Sequence, residues 1–157
     1  MGQNGRAMPM PTLRQATPAD MPGIWEVRYS VTENTLTPGR ISNEELRAAL
    51  EDTGRGWVVE SDGRIDGFAI GNGQTGQVWA LFVRPEAQGR GHGTRLHAAL
   101  LAWFRTLPLD GLWLSTGTDT RARAFYEKHG WRCVGVHGVD EVRYELPNGA
   151  PVPGPTA

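Results

Sequence analysis

The chain has 157 residues, a net charge of −1 and 39% hydrophobic residues, a composition typical of one ordinary globular domain. The near-zero charge gives no global attraction to nucleic acid or to an anionic membrane, and no apolar run approaches the roughly 20 residues that span a bilayer. A single cysteine, Cys133, excludes an internal disulfide. The N-terminus lacks the apolar core of a signal peptide, so we expect a cytoplasmic protein without nucleic-acid or membrane partners.

Both ends of the chain are rich in glycine, proline and small residues. Residues 1–11 and 147–157 hold too few large apolar side chains to bury a core, so we predict a disordered tail at each end. No repeat and no linker divides the middle of the chain. Residues 12–146 are therefore predicted to form a single domain.

The first half of this domain predicts one strand, two helices and an antiparallel meander. A short strand over 13–17 precedes a helix in the segment TPADMPGIWEVRYSV, which Thr17 or Asp20 would cap. Ser42 and Glu45 form a capping box at the start of a second helix. Three strands with turn signals between them follow over 56–61, 64–72 and 77–83.

The second half predicts the order helix, strand, helix, strand, strand. A helix over 94–107 has apolar side chains at helical spacing and ends before Pro108, and the apolar run GLWLST predicts an interior strand. The next helix has Asp119 at its N-terminus and Gly130 as its C-cap. Two strands within 131–146 complete an α+β fold with a mixed sheet.

The segment QGRGHG, residues 88–93, places three glycines between a strand and a helix. Its spacing fits neither the dinucleotide fingerprint nor a P-loop, since the third glycine is misplaced and no lysine follows. A glycine-rich turn that opens a helix still presents backbone N–H groups and the positive end of the helix dipole to an anion. Residues 84–105 also carry four arginines and one glutamate. These features favour an anion site over a turn that merely needs a positive φ angle.

The segment VRPEAQGRGHGTRLHAALLAWF resembles the acetyl-CoA signature of the GNAT superfamily of N-acetyltransferases, [QR]-x-x-G-x-[GA]. Gln88, Gly91 and Gly93 occupy its fixed positions. The segment RARAFYEKHGW resembles the family's second motif, in which a helix with a tyrosine ends in glycine and an aromatic residue. The resemblance covers about residues 12–146. It implies a GNAT-like α+β fold: a mixed, mostly antiparallel central sheet of six to seven strands flanked by about four helices.

The resemblance implies acetyl-CoA as a cosubstrate and no metal. The cosubstrate would lie between two splayed strands, 76–83 and 112–116, with its pantetheine arm along residues 81–83 and its pyrophosphate on the N–H groups of residues 88–94. The implied cofactor-binding residues are Leu81, Phe82, Val83, Gln88, Gly89, Arg90, Gly91, His92, Gly93, Thr94, Arg95, Asp119, Arg121, Ala122 and Tyr126. Candidate charge partners for the pyrophosphate are Arg84, Arg90 and Arg95.

The implied reaction is direct attack of a neutral amine on the thioester in a ternary complex. Tyr126 matches the family's usual acid, since a phenol with an ordinary pKa of about 10 can donate a proton to the leaving thiolate. Core packing is the alternative role for Tyr126. A strand N–H near Phe82 would polarise the carbonyl. Gln77 stands where many relatives have a glutamate base, so the base is missing, replaced or a water chain. Other candidates are Glu33, Glu60 and His97, the last of which has a surface position as its alternative. A further alternative is an amine that arrives already neutral.

The family builds its acceptor site from the region that reads EVRYSVTENTLTPGRIS in this chain. We predict that Glu33 and Asn34 line the acceptor pocket, with Glu33 pairing an ammonium group; a helix C-terminus capped by Asn34 is the alternative. The predicted substrate-binding residues are Arg28, Glu33, Asn34, Gln77 and Ser115.

The sequence thus predicts an acetyl-CoA-dependent N-acetyltransferase that acts on a primary amine of a small molecule. Two alternatives stay open. One is a protein or peptide N-acetyltransferase, which needs an open groove. The other is a non-catalytic acyl-CoA sensor, which Gln77 favours and Tyr126 opposes. The resemblance also implies a homodimer, with residues 131–146 as the predicted interface.

Overall fold

The structure is a computed structural model that describes residues 11–32, 39–118 and 121–149. Within these residues the strands are β1 (Thr12–Gln15), β2 (Gly54–Ser61), β3 (Arg64–Asn72), β4 (Val78–Val83), β5 (Gly111–Gly117), β6 (Arg132–His137) and β7 (Glu141–Pro147). The α-helices are α1 (Met21–Ser30), α2 (Asn43–Glu51), α3 (His92–Phe104) and α4 (Arg121–Lys128). The predicted order of elements is confirmed, and so is the α+β fold.

Helix boundaries differ from the prediction where backbone geometry intervenes. The helix predicted over 94–107 begins at His92, because Gly91 takes a left-handed conformation as its N-cap. It ends at Phe104, since Thr106 and Leu107 donate to carbonyls three residues earlier and tighten the last turn. The first predicted helix likewise opens with a separate 3₁₀ turn, Pro18–Asp20, before α1 begins.

The strands form two antiparallel sheets, β1-β2-β3-β4 and β5-β7-β6. In the described part of the chain, the ladder contact between them is a single parallel bridge from Gln77 to Trp113. The N–H of Trp113 donates to the carbonyl of Gly76 at 3.0 Å. Beyond this point β4 and β5 separate, and a gap opens between the sheets towards the C-terminal ends of both strands.

Two apolar clusters cover the two faces of the sheets. One contains the inner face of α3, including Leu96, Leu100 and Phe104, together with side chains of β5 and β7. The other joins α1 and α2 to β2 and β3, with Ile24 and Phe68 among its buried members. Burying each large side chain contributes about 1.5–3 kcal/mol, so these clusters fix both sheets and hold the gap between them in place.

The folded domain extends past residue 146 into the first residues of the predicted C-terminal tail, 147–157. Pro147 pairs with Gly111 at the end of β7. The side-chain amide of Asn148 donates to the carbonyls of Phe104 and Leu109 at 2.9 Å each. These bonds satisfy acceptors at the end of α3 and in the loop before β5. The rest of the two predicted tails, 1–10 and 150–157, lies outside the described residues.

Candidate active site

The turn over residues 88–93 joins β4 to α3 and presents backbone donors to open space. Gly89 and Gly91 have φ angles of 81° and 85°, in the left-handed region that side chains rarely adopt. The carbonyl of Gly91 accepts from the N–H of Arg95 at 3.1 Å and begins the helix. The first N–H groups of α3 lack helical partners and lie at the positive end of the helix dipole. No described atom lies within 4 Å of a Cβ built on Gly89 or Gly91.

A cavity of ≈ 390 Å³ lies between this turn, the end of β4 and the start of α4, and is termed the loop cavity. Most of the predicted cofactor-binding residues line it. They are Leu81, Phe82, Val83, Gln88, Gly89, Gly91, His92, Gly93, Thr94, Arg121, Ala122 and Tyr126. Further lining residues, which the sequence did not single out, are Val31, Thr32, Pro85, Ala87 and Phe125. The fold thus brings three distant segments of the chain onto one cavity.

One wall of the loop cavity is the edge of β4 that faces the gap. The N–H of Arg84 donates to the carbonyl of Asp66 at 2.8 Å, so Arg84 pairs with β3. The carbonyl of Val83 instead accepts from Nε2 of Gln88 at 3.1 Å. Because successive strand residues turn their main-chain groups to opposite edges, Leu81 shares the orientation of Val83. The main-chain groups of Leu81 and Val83 therefore face the gap, where an extended ligand can pair with them.

Among the predicted cationic residues, Arg121 is the one in the wall of the loop cavity. Its Nη1 donates to Oε1 of Gln88 at 2.8 Å, which ties the start of α4 to the glycine turn. Nη1 of Arg95 donates to the carbonyl of Pro11. Neither Arg95 nor the exposed Arg90 lines the loop cavity. Asp119 lies outside the described residues.

A cluster of three buried polar residues, Asp66, Arg84 and His92, lies beneath the glycine turn. Arg84 is 4% exposed, donates to the carbonyl of Ile65 and pairs with Glu26 at 2.7 Å, so it faces away from the loop cavity. Nε2 of His92 lies 3.8 Å from a carboxylate oxygen of Asp66. Burial lowers the pKa of His92, which makes its ring neutral at pH 7. Arg84, a candidate charge partner for the pyrophosphate, instead contacts Ile65, Glu26 and Asp66 below the turn.

Tyr126 is both a core residue and part of the wall of the loop cavity. Its ring packs against Phe125, Trp131 and Tyr144, with centroid separations of 5.2, 5.7 and 6.4 Å. Burial raises the pKa of the Tyr126 phenol well above its ordinary value. The phenol therefore keeps its proton throughout the physiological pH range and can act as a hydrogen-bond donor in the cavity.

His97 lies in the core, so the surface position considered for it is wrong. It is 4% exposed, and its Nε2 accepts from Nε1 of Trp131 at 3.0 Å. Burial, with a smaller effect from His129, lowers the pKa of His97 to about 4. The ring is therefore neutral at pH 7. It lines neither the loop cavity nor the second cavity described next.

A second cavity of ≈ 190 Å³, termed the side cavity, lies between α1 and the strands β4 and β5. Three predicted substrate-binding residues line it: Arg28, Gln77 and Ser115. The other two, Glu33 and Asn34, lie outside the described residues. The remaining lining residues are Ile24, Trp25, Ile41, Leu46, Phe68, Val78, Trp79, Ala80, Phe82, Thr116 and Glu141. Most of the lining residues are therefore apolar or aromatic, and the others are polar or charged.

Glu141 is a site residue that the sequence reasoning missed. Its Oε1 accepts from the hydroxyl of Ser115 at 2.9 Å, which holds the carboxylate at the edge of the side cavity. The alternation in VDEVRYEL places Glu141 on the face opposite the buried Val142. Its position beside Ser115 additionally requires the antiparallel register of β5 and β7, which pairs Gly117 with Glu141. The alternation in the sequence thus indicated which face Glu141 lies on, but not which strand lies beside it.

Phe82 contributes to the walls of both cavities. By the alternation along β4, its main chain is directed to β3 rather than to the gap. The strand N–H groups near Phe82 that face the gap are therefore those of Leu81 and Val83. The guanidinium of Arg28 lies over the Phe82 ring, with its Cζ 4.2 Å from the ring centroid.

The base candidates that the structure describes do not converge on the site. Glu60 pairs with Arg14 at 3.0 Å and lines neither cavity. Gln77 lines the side cavity, but an amide accepts no proton at neutral pH. Glu33 lies outside the described residues. Among the described lining residues of the loop cavity and the side cavity, Glu141 is thus the one carboxylate.

Neither a metal centre nor a membrane span is found in the part of the chain that the structure describes. Its His, Cys, Asp and Glu side chains form no group of three or more that could bind a metal ion. Its helices are too short or too polar to cross a bilayer.

The parted strands, the glycine turn that opens α3 and the tyrosine of α4 define a protein of the acetyltransferase class. The family model described as "Acetyltransferase (GNAT) family" matches residues 19–131. The chain belongs to the GNAT family of acetyltransferases, whose cosubstrate is acetyl-CoA.

Individual relatives agree with this family. Aminoglycoside N(6')-acetyltransferase type 1 of Stenotrophomonas maltophilia is 30% identical over 148 residues, which is 85% of this chain and 91% of the relative. Mycothiol acetyltransferase of Beutenbergia cavernae is 37% identical over 89 residues, or 52% of this chain, and this match spans only 29% of that relative. The ribosomal-protein-S18-alanine N-acetyltransferase of Escherichia coli, at 18% identity, shares the fold, with a TM-score of 0.73 over 90% of this chain and 96% of the other.

The buried His97 predicts a loss of stability in acid. Its pKa in the folded state is about 4, below the ordinary value of 6.5, so the unfolded chain binds the proton first. The free energy of unfolding should therefore fall by about 3 kcal/mol between pH 7 and pH 4 through this group. Urea unfolding of His97→Gln should show a correspondingly weaker pH dependence than wild type. His137→Gln, at the end of β6, should keep the wild-type dependence; equal slopes for all three proteins would contradict the prediction.

Proposed function

We propose that the protein transfers the acetyl group of acetyl-CoA to a primary amine of a small molecule, by direct attack in a ternary complex. The observation that carries this proposal is that Phe82 lines both cavities. One cavity ends at a glycine turn suited to a pyrophosphate, and the other has a carboxylate and an arginine in its wall. Two substrates bound in these cavities would thus both lie against Phe82.

The loop cavity fits the cosubstrate through its backbone. The first N–H groups of α3 and the open space over Gly89 and Gly91 accommodate a pyrophosphate without a side chain in the way. The parted edge of β4 offers the main chain of Leu81 and Val83 to an extended amide-containing arm. Arg121 adds a positive charge to the same wall.

The chain's own groups meet the chemical demands of acetyl transfer. The bound cosubstrate supplies a thioester, and the N–H of Leu81 or Val83 would stabilise negative charge that develops on its oxygen. Glu141 would accept the proton that the acceptor's ammonium group must lose before its nitrogen forms the new C–N bond. As the C–S bond breaks, Tyr126 would donate a proton to the sulfur and recover one from the amide nitrogen. The net products are the acetylated amine, the free thiol and one proton released to solvent.

The dimensions of the side cavity support a small acceptor over a peptide. At ≈ 190 Å³ it is smaller than the roughly 300–1,000 Å³ of sites for drug-sized ligands. The similarity to an aminoglycoside acetyltransferase over most of both chains points the same way. Tyr126 in the cavity wall supports catalysis rather than mere acyl-CoA sensing. The exposed Cys133 fits a reducing cytoplasm, where we infer that the protein works.

We also propose a homodimer formed through β6. This strand is the edge of its sheet, and Val134, Val136 and Val139 on and beside it are 44%, 79% and 92% exposed. An exposed apolar edge strand is a ready template for pairing with another chain. Light scattering should give twice the chain mass of 17.2 kDa, and a Val136→Lys variant should give the chain mass itself. A wild-type protein that is monomeric at assay concentrations would contradict the dimer.

Acetyl-CoA binding tests the assigned cosubstrate. Calorimetry should show micromolar binding by wild type and at least about a hundredfold weaker binding by Gly91→Val, because the added side chain occupies the pyrophosphate space. Gly63→Val is the matched control, since Gly63 has a φ angle of 78° and open surroundings in the turn between β2 and β3. It imposes similar backbone strain and should keep the affinity. Absence of wild-type binding, or equal losses in both variants, would contradict the assignment.

The acid role of Tyr126 predicts a defect in turnover rather than in binding. Tyr126→Phe should lower kcat about a hundredfold with little change in KM, because the ring still packs while the proton donor is lost. The measurement is thiol release from acetyl-CoA. Tyr29→Phe is the control, since Tyr29 is exposed and lines neither cavity. Because burial raises the pKa of Tyr126, wild-type activity should show no alkaline decline from this group below about pH 10. An unchanged kcat in Tyr126→Phe would remove the role.

A further inference from the structure

His92 is a buried polar residue in the wall of the loop cavity, and no step of the proposed reaction uses it. It is the first residue of α3 and is 3% exposed. Neither of its ring nitrogens has a hydrogen-bond partner among the residues that the structure describes. Buried polar groups are normally hydrogen-bonded, because an unsatisfied one costs about as much free energy as a lost hydrogen bond. An unsatisfied histidine at the glycine turn therefore points to a role in the state that has a ligand bound.

The charged groups around His92 come from several elements. Asp66 of β3 is 6% exposed, and one of its carboxylate oxygens lies 3.8 Å from Nε2 of His92. Arg84, directly after β4, has its Nε 3.7 Å from the other oxygen of this carboxylate. Arg90 in the glycine turn and Arg95 on α3 act on the ring as positive charges. His92 thus has Asp66 and these three arginines as charged neighbours.

In the free protein these surroundings keep the His92 ring neutral at pH 7. Burial lowers its pKa, Asp66 opposes this change, and Arg95 and Arg90 lower the pKa further. The helix dipole acts in the same direction as the arginines, because it places partial positive charge at the N-terminus of α3. A pyrophosphate on the first N–H groups of α3 would bring negative charge to the same place and reverse the sign of this effect. Binding of the anion therefore favours the protonated ring.

Protonation would also satisfy the nitrogen that lies near Asp66. A neutral imidazole donates through one nitrogen, whereas an imidazolium donates through both. Closing the 3.8 Å separation between Nε2 and the Asp66 carboxylate by about 1 Å gives a charge-assisted hydrogen bond. The backbone of Asp66 is fixed for this bond, since its carbonyl accepts from the N–H of Arg84 at 2.8 Å. The glycine turn would thereby be tied to β3 while the ligand is bound.

We infer that His92 is a positioning residue for the cosubstrate: it takes up a proton when the pyrophosphate binds and then pairs with Asp66 beneath the turn. This inference rests on the proposed placement of acetyl-CoA in the loop cavity. It adds a regulatory property to that site, because the affinity for acetyl-CoA then depends on pH. A group whose pKa rises on binding makes the ligand bind more tightly as the pH falls through the pKa of the complex.

Calorimetry of acetyl-CoA binding measures this proton uptake. Titrations at pH 6 in buffers with different ionisation enthalpies give the number of protons bound with the ligand, and wild type should take up about half a proton more than His92→Gln. The comparison with the variant is needed because the phosphate monoester of the cosubstrate also titrates near this pH. Between pH 8 and pH 5.5 the affinity of wild type should rise about three- to tenfold relative to that of His92→Gln.

Two further variants separate the proposed pairing from a general defect. Asp66→Asn keeps the histidine but removes the carboxylate, so its proton uptake should lie close to that of His92→Gln. His137→Gln is the control for loss of a histidine, since His137 lies on β6 and lines neither cavity. It should keep the wild-type uptake.

Nuclear magnetic resonance of wild type makes the test independent of these variants. The ring resonance of His92, assigned from the backbone resonances of α3, should titrate with a midpoint about 1 pH unit higher in the acetyl-CoA complex than in the free protein. An unchanged midpoint, or equal proton uptake in wild type and His92→Gln, would overturn the inference and leave the proposed function standing. Absence of acetyl-CoA binding by wild type would overturn both. Proton uptake through His92 without acetylation of any amine would overturn the proposed reaction alone.

Discussion

The site depends on the separation of β4 from β5. These parallel strands touch through Gln77 and Trp113 and then diverge, while antiparallel ladders hold β4 to β3 and β5 to β7. Strand backbones normally satisfy each other, so a parted pair leaves main-chain donors and acceptors for a ligand. Because the two apolar clusters fix the sheets, the gap is a property of the fold rather than of any one side chain.

The two sides of β4 use different chemistry. On the loop side, backbone groups face the cavity, while Arg84 and Arg95 bond elsewhere and Arg121 adds the nearby charge. A pyrophosphate and a pantetheine arm are the same in every reaction of the family, so recognition by main chain suits them. On the other side, side chains such as Arg28 and Glu141 face the cavity. Side chains suit recognition of an acceptor, because they can differ without disturbing the backbone proposed to bind the cosubstrate.

Burial determines the protonation state of the residues around the loop cavity. Tyr126 keeps its proton, and His92 and His97 stay neutral, because each would have to ionise away from water. Asp66 lies near both Arg84 and His92, with separations of 3.7 and 3.8 Å. Asp66, Arg84 and His92 thus form a polar cluster that links β3 to the glycine turn. Because the rings of His92 and His97 are neutral, the positive potential at the turn comes from the helix dipole and Arg121.

The sequence alone determined the order of strands and helices, the position of the glycine turn and the family, because these features are encoded locally. Hydrophobic alternation and helical spacing act over a few residues, and the turn needs glycine at Gly91 for its backbone angle. The sequence also predicted the acid candidate Tyr126, whose motif consists of one helix and the few residues that follow it.

Only the tertiary structure decided which groups face each cavity. Ser115 and Glu141 are 26 positions apart and meet through strand register, and His97 is buried by Trp131, 34 positions away. Whether an arginine faces a ligand depends on acceptors from remote segments, as with Arg84 and the carbonyl of Ile65. Such contacts are selected by packing over the whole domain, which no short stretch of the chain specifies.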